Sequence, residues 1–220
     1  MKDLAQRFDE NPILKPSDLR PSVEGLEVTC LLNPGVFRFQ GKVWLLVRVA
    51  ERPVQIPGRT SFPILSPDGR LEVLEFDSSD PRLDLSDPRV ISFDGQDYLT
   101  TLSHLRLLSS DDGIHFSEPE DSKPFMGSGE LETYGIEDCR VTQIGETYNL
   151  TYTQVSSNGV GVGLRTTTNW KNFDHVGMIF PPHKQGLRDL RRADRRQILR
   201  AAPSQQSGIG RQLHLAGRVA

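Results

Sequence analysis

The sequence contains few cysteines and no long apolar run. Cys30 and Cys139 are the only thiols among its 220 residues, and two distant cysteines without an export signal are typical of free thiols rather than of a disulfide framework. No apolar stretch is long enough to span a bilayer. Residues 1–10 are charged, whereas a secretory signal would be apolar there. These absences predict a cytoplasmic protein without a membrane partner.

Signals for several functional classes are absent too. The formal net charge of −3 gives no basic surplus for a nucleic-acid partner. There is no glycine-rich phosphate loop and no Ser-His-Asp order. His115, His175 and His183 are scattered without the spacing of metal ligands. The sequence therefore predicts no metal site and no cofactor.

Turn-forming residues are abundant, with 15 prolines and 19 glycines, whereas hydrophobic residues make up 36%. From Leu31 onward, short apolar alternations are interrupted by turn dipeptides, which is the pattern of β-hairpins. The predicted strand pairs are 36–39 with 43–49, 90–93 with 98–102, and 141–144 with 148–153. This pattern indicates an all-β fold.

The second and third hairpins begin with related residues. Asp87-Pro88-Arg89-Val90 precedes one and Asp138-Cys139-Arg140-Val141 the other, and the 51-residue offset is close to the period of propeller blades. A blade cannot bury both faces of its sheet alone, so it needs neighbours packed around an axis. The repeat favours a β-propeller over the alternative, an all-β sandwich.

One cluster can carry chemistry: Gly135-Ile136-Glu137-Asp138-Cys139-Arg140, at the head of a predicted strand. Strand starts near a propeller axis project side chains into the central funnel. Asp138 can exchange a proton there, and Arg140, on the same strand face, can bind hydroxyls or lower the pKa of that carboxyl. Alone, an acid-x-Arg pair is more often structural. His104 is another funnel candidate, although a lone histidine is also more often structural.

The cluster resembles the Gly-Ile-Glu-Asp-Pro-Arg signature of glycoside hydrolase family 130, which implies a five-bladed β-propeller enzyme that handles β-mannosides, usually by phosphorolysis. Other segments resemble family motifs in the same order. They are residues 11–14 with Pro16, 33–35, 45–49, 58–60, 148–153 and 181–184. Each motif is short, and the resemblance rests on their shared order and spacing over most of residues 10–185.

The resemblance implies specific roles. Asp138 corresponds to the proposed general acid, which acts through the 3-hydroxyl of the mannosyl unit in the −1 subsite. Inorganic phosphate, the co-substrate, attacks the anomeric carbon with inversion and yields α-mannose 1-phosphate, which suits an oxocarbenium-like transition state. Lys184 is the implied phosphate ligand. The implied substrate-binding residues are Asn33, Arg48, Arg59, Asp87 and Arg140.

Two departures from the family pattern stand out. Cys139 replaces the signature proline, which frees a backbone N–H, and because Asp138 and Arg140 remain we expect the change to be tolerated. Beyond Lys184, the family continues with a Phe-Pro strand and a His-Arg-Pro that supplies another phosphate arginine. Neither occurs in this sequence.

Residues 186–220 differ from the partial propeller domain predicted for residues 1–185, which would hold the first three or so blades. They contain eight arginines, no lysine and no aromatic residue. We expect a reading-frame shift after Gln185, because a shifted frame can encode the missing His-Arg-Pro, and such a C-terminally truncated chain would have little activity. The alternative is a genuine basic tail, helical or disordered. Sequencing the gene across codon 185 separates the two.

The sequence leaves three functions open. The first is a β-mannoside phosphorylase, with a β-mannoside disaccharide or oligosaccharide as its partner. The second is a hydrolase of related propeller families, although Lys184 favours phosphorolysis. The third is a sugar-binding module, since a partial propeller can keep Arg48 and Asp138 without turnover. Association into a homo-oligomer is also left open.

Overall fold

The computed structural model describes residues 8–66 and 68–181. The predicted domain boundary at Gln185, the segment 186–220 and Lys184 lie outside these residues. The described part contains one 3-10 helix, Pro16–Asp18, and no helix with the length and hydropathy needed to cross a membrane. Its strands are β1 Leu26–Phe39, β2 Lys42–Pro53, β3 Arg59–Leu65, β4 Leu71–Asp77, β5 Leu83–Asp87, β6 Val90–Phe93, β7 Gln96–Leu99, β8 Leu102–Ser110, β9 Ile136–Ile144, β10 Thr147–Ser156, β11 Gly159–Thr167 and β12 Asp174–Phe180.

These strands form four antiparallel sheets. Sheet A has the order β1-β2-β8, sheet B pairs β3 with β4, sheet C has the order β5-β6-β7, and sheet D has the order β12-β11-β10-β9. Sheets B and C are built from the chain between β2 and β8. They are therefore an insertion between two neighbouring strands of sheet A.

All three predicted hairpins form, but the second strand of the middle one is Gln96–Leu99 rather than 98–102, because Leu102 already belongs to β8. The bends at Gln40-Gly41 and Asp94-Gly95 have positive φ at both residues, 49° and 79° in the first and 52° and 81° in the second. Such turns match the right-handed twist of the paired strands, and they favour Asn, Asp and Gly because these residues adopt positive φ most easily. The turn chemistry in the sequence thus fixes the register of β1 on β2 and of β6 on β7.

The predicted equivalence of the two Asp-x-Arg-Val segments is wrong. Asp87 ends β5 and Val90 begins β6, so the first segment is a turn, whereas Asp138 and Val141 both lie inside β9. In that turn the Asp87 carboxylate accepts the backbone N–H of Arg89 at 2.8 Å, which is a common use of Asp in a turn. The hairpin β6–β7 belongs to the insertion and does not begin a sheet equivalent to sheet D.

Sheets A and D pack face to face around a shared core. Phe37 of β1 stacks on Trp170, with ring centroids 3.7 Å apart, and meets Tyr148 of β10 edge on. Leu46, Leu105, Ile136, Cys139, Leu150 and Tyr152 complete the buried cluster. Face-to-face packing of this kind is how neighbouring blades of a propeller bury their sheets.

The opposite face of sheet A is covered by the lead-in before β1. Leu19 packs there against β2 and β8. Arg106, almost fully buried, donates to the carbonyl of Arg20 and to the carboxylate of Glu118, and it lies 3.8 Å from that of Glu51. Glu51 in turn accepts the backbone N–H of Ser22 at 2.8 Å. Paired charges of this kind tie the lead-in to the sheet, because an unpaired buried charge is strongly destabilising.

His104 lies on this same face of β8, because side chains alternate along a strand and Arg106 and Leu108 point there. It is completely buried, and neither ring nitrogen has a hydrogen-bond partner among the described residues. Burial, reinforced by the charge of Arg106, lowers the pKa of His104 to about 3. The sequence-based alternative of a structural histidine therefore fits this position, on the face of sheet A that turns away from sheet D.

We predict that His104 makes the fold less stable in mild acid. The unfolded histidine takes up a proton below its ordinary pKa of about 6.5, whereas the folded one stays neutral down to about pH 3. The free energy of unfolding should fall by up to about 1.4 kcal/mol per pH unit across this window. Urea unfolding of the wild type and of His104→Leu at pH 6.5, 5.5 and 4.5 measures the effect. Equal pH dependence in both proteins would contradict it.

Candidate active site

A β-bulge in β9 directs the carboxylate of Asp138, in the signature, toward sheet A. Arg140 pairs with Thr151 and Glu137 with Thr153, so Asp138 and Cys139 together face one residue of β10. Asp138 has a φ of 50°. In a regular strand consecutive side chains point to opposite faces, and a bulge breaks that alternation. Glu137 and Asp138 can therefore point toward the same partner.

Strand β1, at one edge of sheet A, carries a matching bulge. Leu32 pairs with Arg48 and Gly35 with Leu46, which leaves Asn33 and Pro34 opposite one residue of β2. Asn33 also has a positive φ, 33°. Asn and Asp tolerate this backbone region better than other residues with a Cβ. Asn33 Nδ2 donates to Asp138 Oδ1 at 3.0 Å. The side chains of the first residue in each bulge are therefore in contact.

Arg48 of β2 joins the two sheets with three of its donors. Its Nε donates to Ser103 Oγ of β8 at 3.1 Å, its Nη1 to Asp138 Oδ1 at 3.0 Å, and its Nη2 to Glu137 Oε1 at 2.7 Å. The side chain of Arg48 keeps 19% of its surface exposed and that of Asp138 keeps 35%. The group, hereafter the Arg48 cluster (Asn33, Arg48, Ser103, Glu137 and Asp138), thus borders solvent.

Two glycines allow the strands of the Arg48 cluster to approach. Gly135, just before β9, has a φ of 100°, and a Cβ there would lie 2.3 Å from the carbonyl oxygen of Ser103. A Cβ on Gly35 of β1 would lie 2.9 Å from the carbonyl oxygen of Cys139. Heavy atoms do not approach so closely without displacement. Only glycine therefore permits β9 to lie against β1 and β8 at this point.

The carboxyl of Asp138 is ionised at neutral pH. Burial raises its pKa, but the hydrogen bonds from Asn33 and Arg48, with the charges of Arg48 and Arg140, outweigh that effect, so the pKa lies below the ordinary value. Both hydrogen bonds end on Oδ1. Within the described part of the chain Oδ2 accepts none, which leaves that oxygen available to a ligand or a proton.

Four predicted site residues come together and two do not. Asn33, Arg48 and Asp138 are in contact, and Arg140 lies beside them, where its Nη1 donates to the carbonyl oxygens of Asn33 and Cys139 at 3.2 and 3.1 Å. Arg140 does not pair with the Asp138 carboxylate in the described chain. Arg59 pairs with Glu75 at 3.4 Å, and Asp87 lies in its turn in sheet C. Neither bonds to the Arg48 cluster, and their substrate contacts stay predictions.

Two members of the Arg48 cluster were not predicted. Regular strand alternation predicts that Glu137 points away from Asp138, and only the bulge turns it to the same side. The sequence offers His104 as a funnel candidate, but its neighbour Ser103 is the residue of β8 that faces the site. The sequence held a signal for Glu137, the acidic pair itself, whereas nothing in the sequence distinguished Ser103.

A groove of about 680 Å³ opens elsewhere between sheets A and D. Its lining includes the aromatic side chains of Trp44, Phe125, Trp170 and Phe173. No member of the Arg48 cluster lines it. Asp121, Lys123 and Lys171 also line the groove, but the carboxyl of the signature lies at the Arg48 cluster, so that cluster is the candidate site.

Sequence comparison identifies the relatives of this chain. Residues 101–200, which include the signature and Ser103, match the family model of glycoside hydrolase family 130, described as β-1,4-mannooligosaccharide phosphorylase. Over 188 residues the chain is 41% identical to the β-1,2-mannobiose phosphorylase of Listeria innocua. The chain belongs to glycoside hydrolase family 130. It covers 52% of the Listeria protein, about half of that relative's length.

Solved structures agree with the family 130 assignment and with the predicted all-β, five-bladed propeller class. The Listeria enzyme in complex with β-1,2-mannobiose aligns with a TM-score of 0.72 over 80% of this chain and 52% of its own. A structure from a study of family 130 hydrolases that target β-1,2 mannosidic linkages in Candida mannan aligns at 18% identity and a TM-score of 0.51, over 82% of this chain and 44% of its own. At that identity the second match supports the fold alone.

We predict that Gly135→Ala destabilises this family 130 chain by about 2–4 kcal/mol, because it adds overpacking against Ser103 to strain at a positive φ. Gly145→Ala is the matched control, since Gly145 has a φ of 60° in the β9–β10 turn and an added Cβ would meet nothing within 4 Å. The control should cost about 1–2 kcal/mol. Urea midpoints of the two variants measure the difference, and equal losses would show that the close approach to Ser103 is unimportant.

Proposed function

We propose that this chain carries the mannosyl subsite and the general acid of a β-mannoside phosphorylase, acting in the cytoplasm with inorganic phosphate as co-substrate and no metal or organic cofactor. The observation that carries the proposal is the meeting of Asn33, Arg48 and Asp138 around one carboxylate oxygen. The 41% identity to the Listeria enzyme supports β-1,2-mannobiose as the first substrate to test.

In this proposal Asp138 has to take up a proton before it can act as an acid. Its pKa is lowered while Arg48 and Asn33 both hold Oδ1. A bound mannosyl unit would cover the exposed part of the carboxyl, and loss of solvent disfavours the charged form. The free Oδ2 is then the oxygen that carries the proton, while Asn33 continues to hold Oδ1.

The proton transfer proposed for the reaction has two parts. Asp138 gives its proton to the 3-hydroxyl of the mannosyl unit, and that hydroxyl passes its own proton to the glycosidic oxygen. The bond from C1 to the glycosidic oxygen breaks as a phosphate oxygen bonds to C1 from the opposite face. The products are α-mannose 1-phosphate and the released sugar, and Asp138 returns to the carboxylate.

Arg48 suits a role in holding sugar hydroxyls. Its planar guanidinium is held on three sides, so little conformational freedom would be lost when a hydroxyl replaces one of its partners. Arg140 is oriented by two carbonyl oxygens and lies at the more exposed side of the same site. On the family resemblance alone, Arg59 is proposed for the sugar and part of the phosphate, and Lys184 for the phosphate.

Incubation of the chain with β-1,2-mannobiose, with and without inorganic phosphate, tests the proposal. Phosphate-dependent release of α-mannose 1-phosphate is the expected result. Release of free mannose alone, at a rate that phosphate does not change, would favour a hydrolase. Saturable binding in calorimetry without either product would favour a sugar-binding module and overturn phosphorolysis for this chain.

We predict that Asp138→Asn lowers the rate of phosphorolysis by about 10²–10⁴, the usual loss on removal of a general acid, while sugar binding is largely retained. Asp111→Asn is the control, because Asp111 is 81% exposed and, among the described residues, pairs only with Lys42 on the surface. Rates of α-mannose 1-phosphate release and calorimetric affinities are compared for the two variants. Near-normal turnover in Asp138→Asn would remove Asp138 from the proposed role.

A further inference from the structure

The two carboxylates of the signature share one cation. Glu137 Oε1 accepts from Arg48 Nη2 at 2.7 Å, and Asp138 Oδ1 accepts from Nη1 at 3.0 Å. Adjacent residues of a regular strand would point to opposite faces, so only the bulge at Asp138 and Cys139 brings both to the same guanidinium. Glu137 keeps 21% of its side-chain surface exposed and has no other partner in the described chain.

We propose that Glu137 is a positioning residue that shares the Arg48 guanidinium with Asp138 and balances the charge that Arg48 would otherwise direct at the general acid alone. The inference deepens the proposed function, on which it rests for the role of Asp138. The effect of Glu137 on the titration of Asp138 can be measured without turnover.

The balance of charge around Asp138 shows what Glu137 contributes. Asp138 is faced by Arg48 from β2 and by Arg140 and Glu137 from its own strand, while β1 and β8 contribute the neutral Asn33 and Ser103. Two cations and two carboxylates sum to zero. Without the charge of Glu137, an ionised Asp138 would sit between two cations, and proton uptake would become harder.

Glu137 also fixes the direction of Arg48. With Nε on Ser103 and Nη2 on Glu137, the plane of the guanidinium is set from two sides before Asp138 is considered. When a sugar hydroxyl takes the place of Asp138 on Nη1, these two anchors keep Arg48 from following the carboxylate. The general acid can then separate from its cation, and this separation favours its protonated form.

Titration of the Asp138 side-chain carboxyl by carbon-13 NMR, on the chain itself, tests this inference. In Glu137→Gln, which keeps an acceptor for Arg48 but removes the charge, the proton dissociation constant of Asp138 should rise on the order of tenfold, as expected for loss of a unit charge at this range. Glu146→Gln is the matched control, because it removes an exposed carboxylate from the far end of the same hairpin, and its titration should equal that of the wild type.

Glu137→Asp separates charge from shape, since it keeps the carboxylate one methylene shorter. It should titrate close to the wild type if charge balance is the cause. An Asp138 titration unchanged in Glu137→Gln would overturn the inference, as would equal shifts in Glu137→Gln and Glu137→Asp, which would indicate a general disturbance of the strand. If the Gln variant does not fold, loss of the wild-type titration in Glu137→Asp would overturn it as well.

The Asp138 titration and the formation of α-mannose 1-phosphate are independent measurements, so failure of the Glu137 role can be told from failure of the proposed function. A shifted titration in a chain that forms no α-mannose 1-phosphate supports the Glu137 assignment and counts against phosphorolysis. Where product is formed, the alkaline limb of the pH–rate profile of Glu137→Gln should move to lower pH, because its general acid loses the proton earlier. A profile that falls uniformly, without moving, would point to a merely structural effect and contradict the inference.

Discussion

The guanidinium of Arg48 in β2 spans the gap between sheets A and D, and its rigid planar geometry determines where the two carboxylates of β9 must lie. Arg48 can bind both Glu137 and Asp138 only if β9 bulges opposite Tyr152 and approaches β8 without a side chain at Gly135. The bulge, the glycine and the placement of Ser103 are therefore consequences of one interaction. A change that moves Arg48 would affect every other member of the group.

A second arginine between the same sheets shows how a purely structural ion pair differs. Glu132 is fully buried and accepts from Tyr152, Gln154, Arg165 and the backbone of Ser128 at 2.7–2.8 Å. All its accepting capacity is used, as a buried carboxylate requires. Asp138, in contrast, remains one-third exposed and uses only Oδ1. The unused hydrogen-bonding capacity of Asp138, rather than the presence of charge, marks the Arg48 cluster as the place where a ligand can bind.

The hairpins of the fold could be predicted from local patterns. The bends at Gln40-Gly41 and Asp94-Gly95 carry the turn chemistry that sets their hairpins, whereas Asn33 and Arg48 were implied only by the family resemblance. The insertion of sheets B and C between β2 and β8 could not be predicted, because pairing of strands 50 residues apart depends on packing rather than on any local signal. For the same reason Asp87, which satisfies a turn, could not be told from Asp138, which occupies a bulge.

The bulges also explain why a cysteine can stand where the family signature has proline. Asn33-Pro34 in β1 and Asp138-Cys139 in β9 form bulges of the same kind, each with two residues opposite one and a positive φ at the first residue. Proline is tolerated at such a bulge because the ladder does not need its N–H, and Pro34 shows this within the chain itself. Cys139 instead fills the core between the sheets with a completely buried side chain, whose pKa burial raises to about 12. Asp138 shapes the bulge, and we expect the position after it to accept either proline or a small apolar side chain while the carboxylate stays on Arg48.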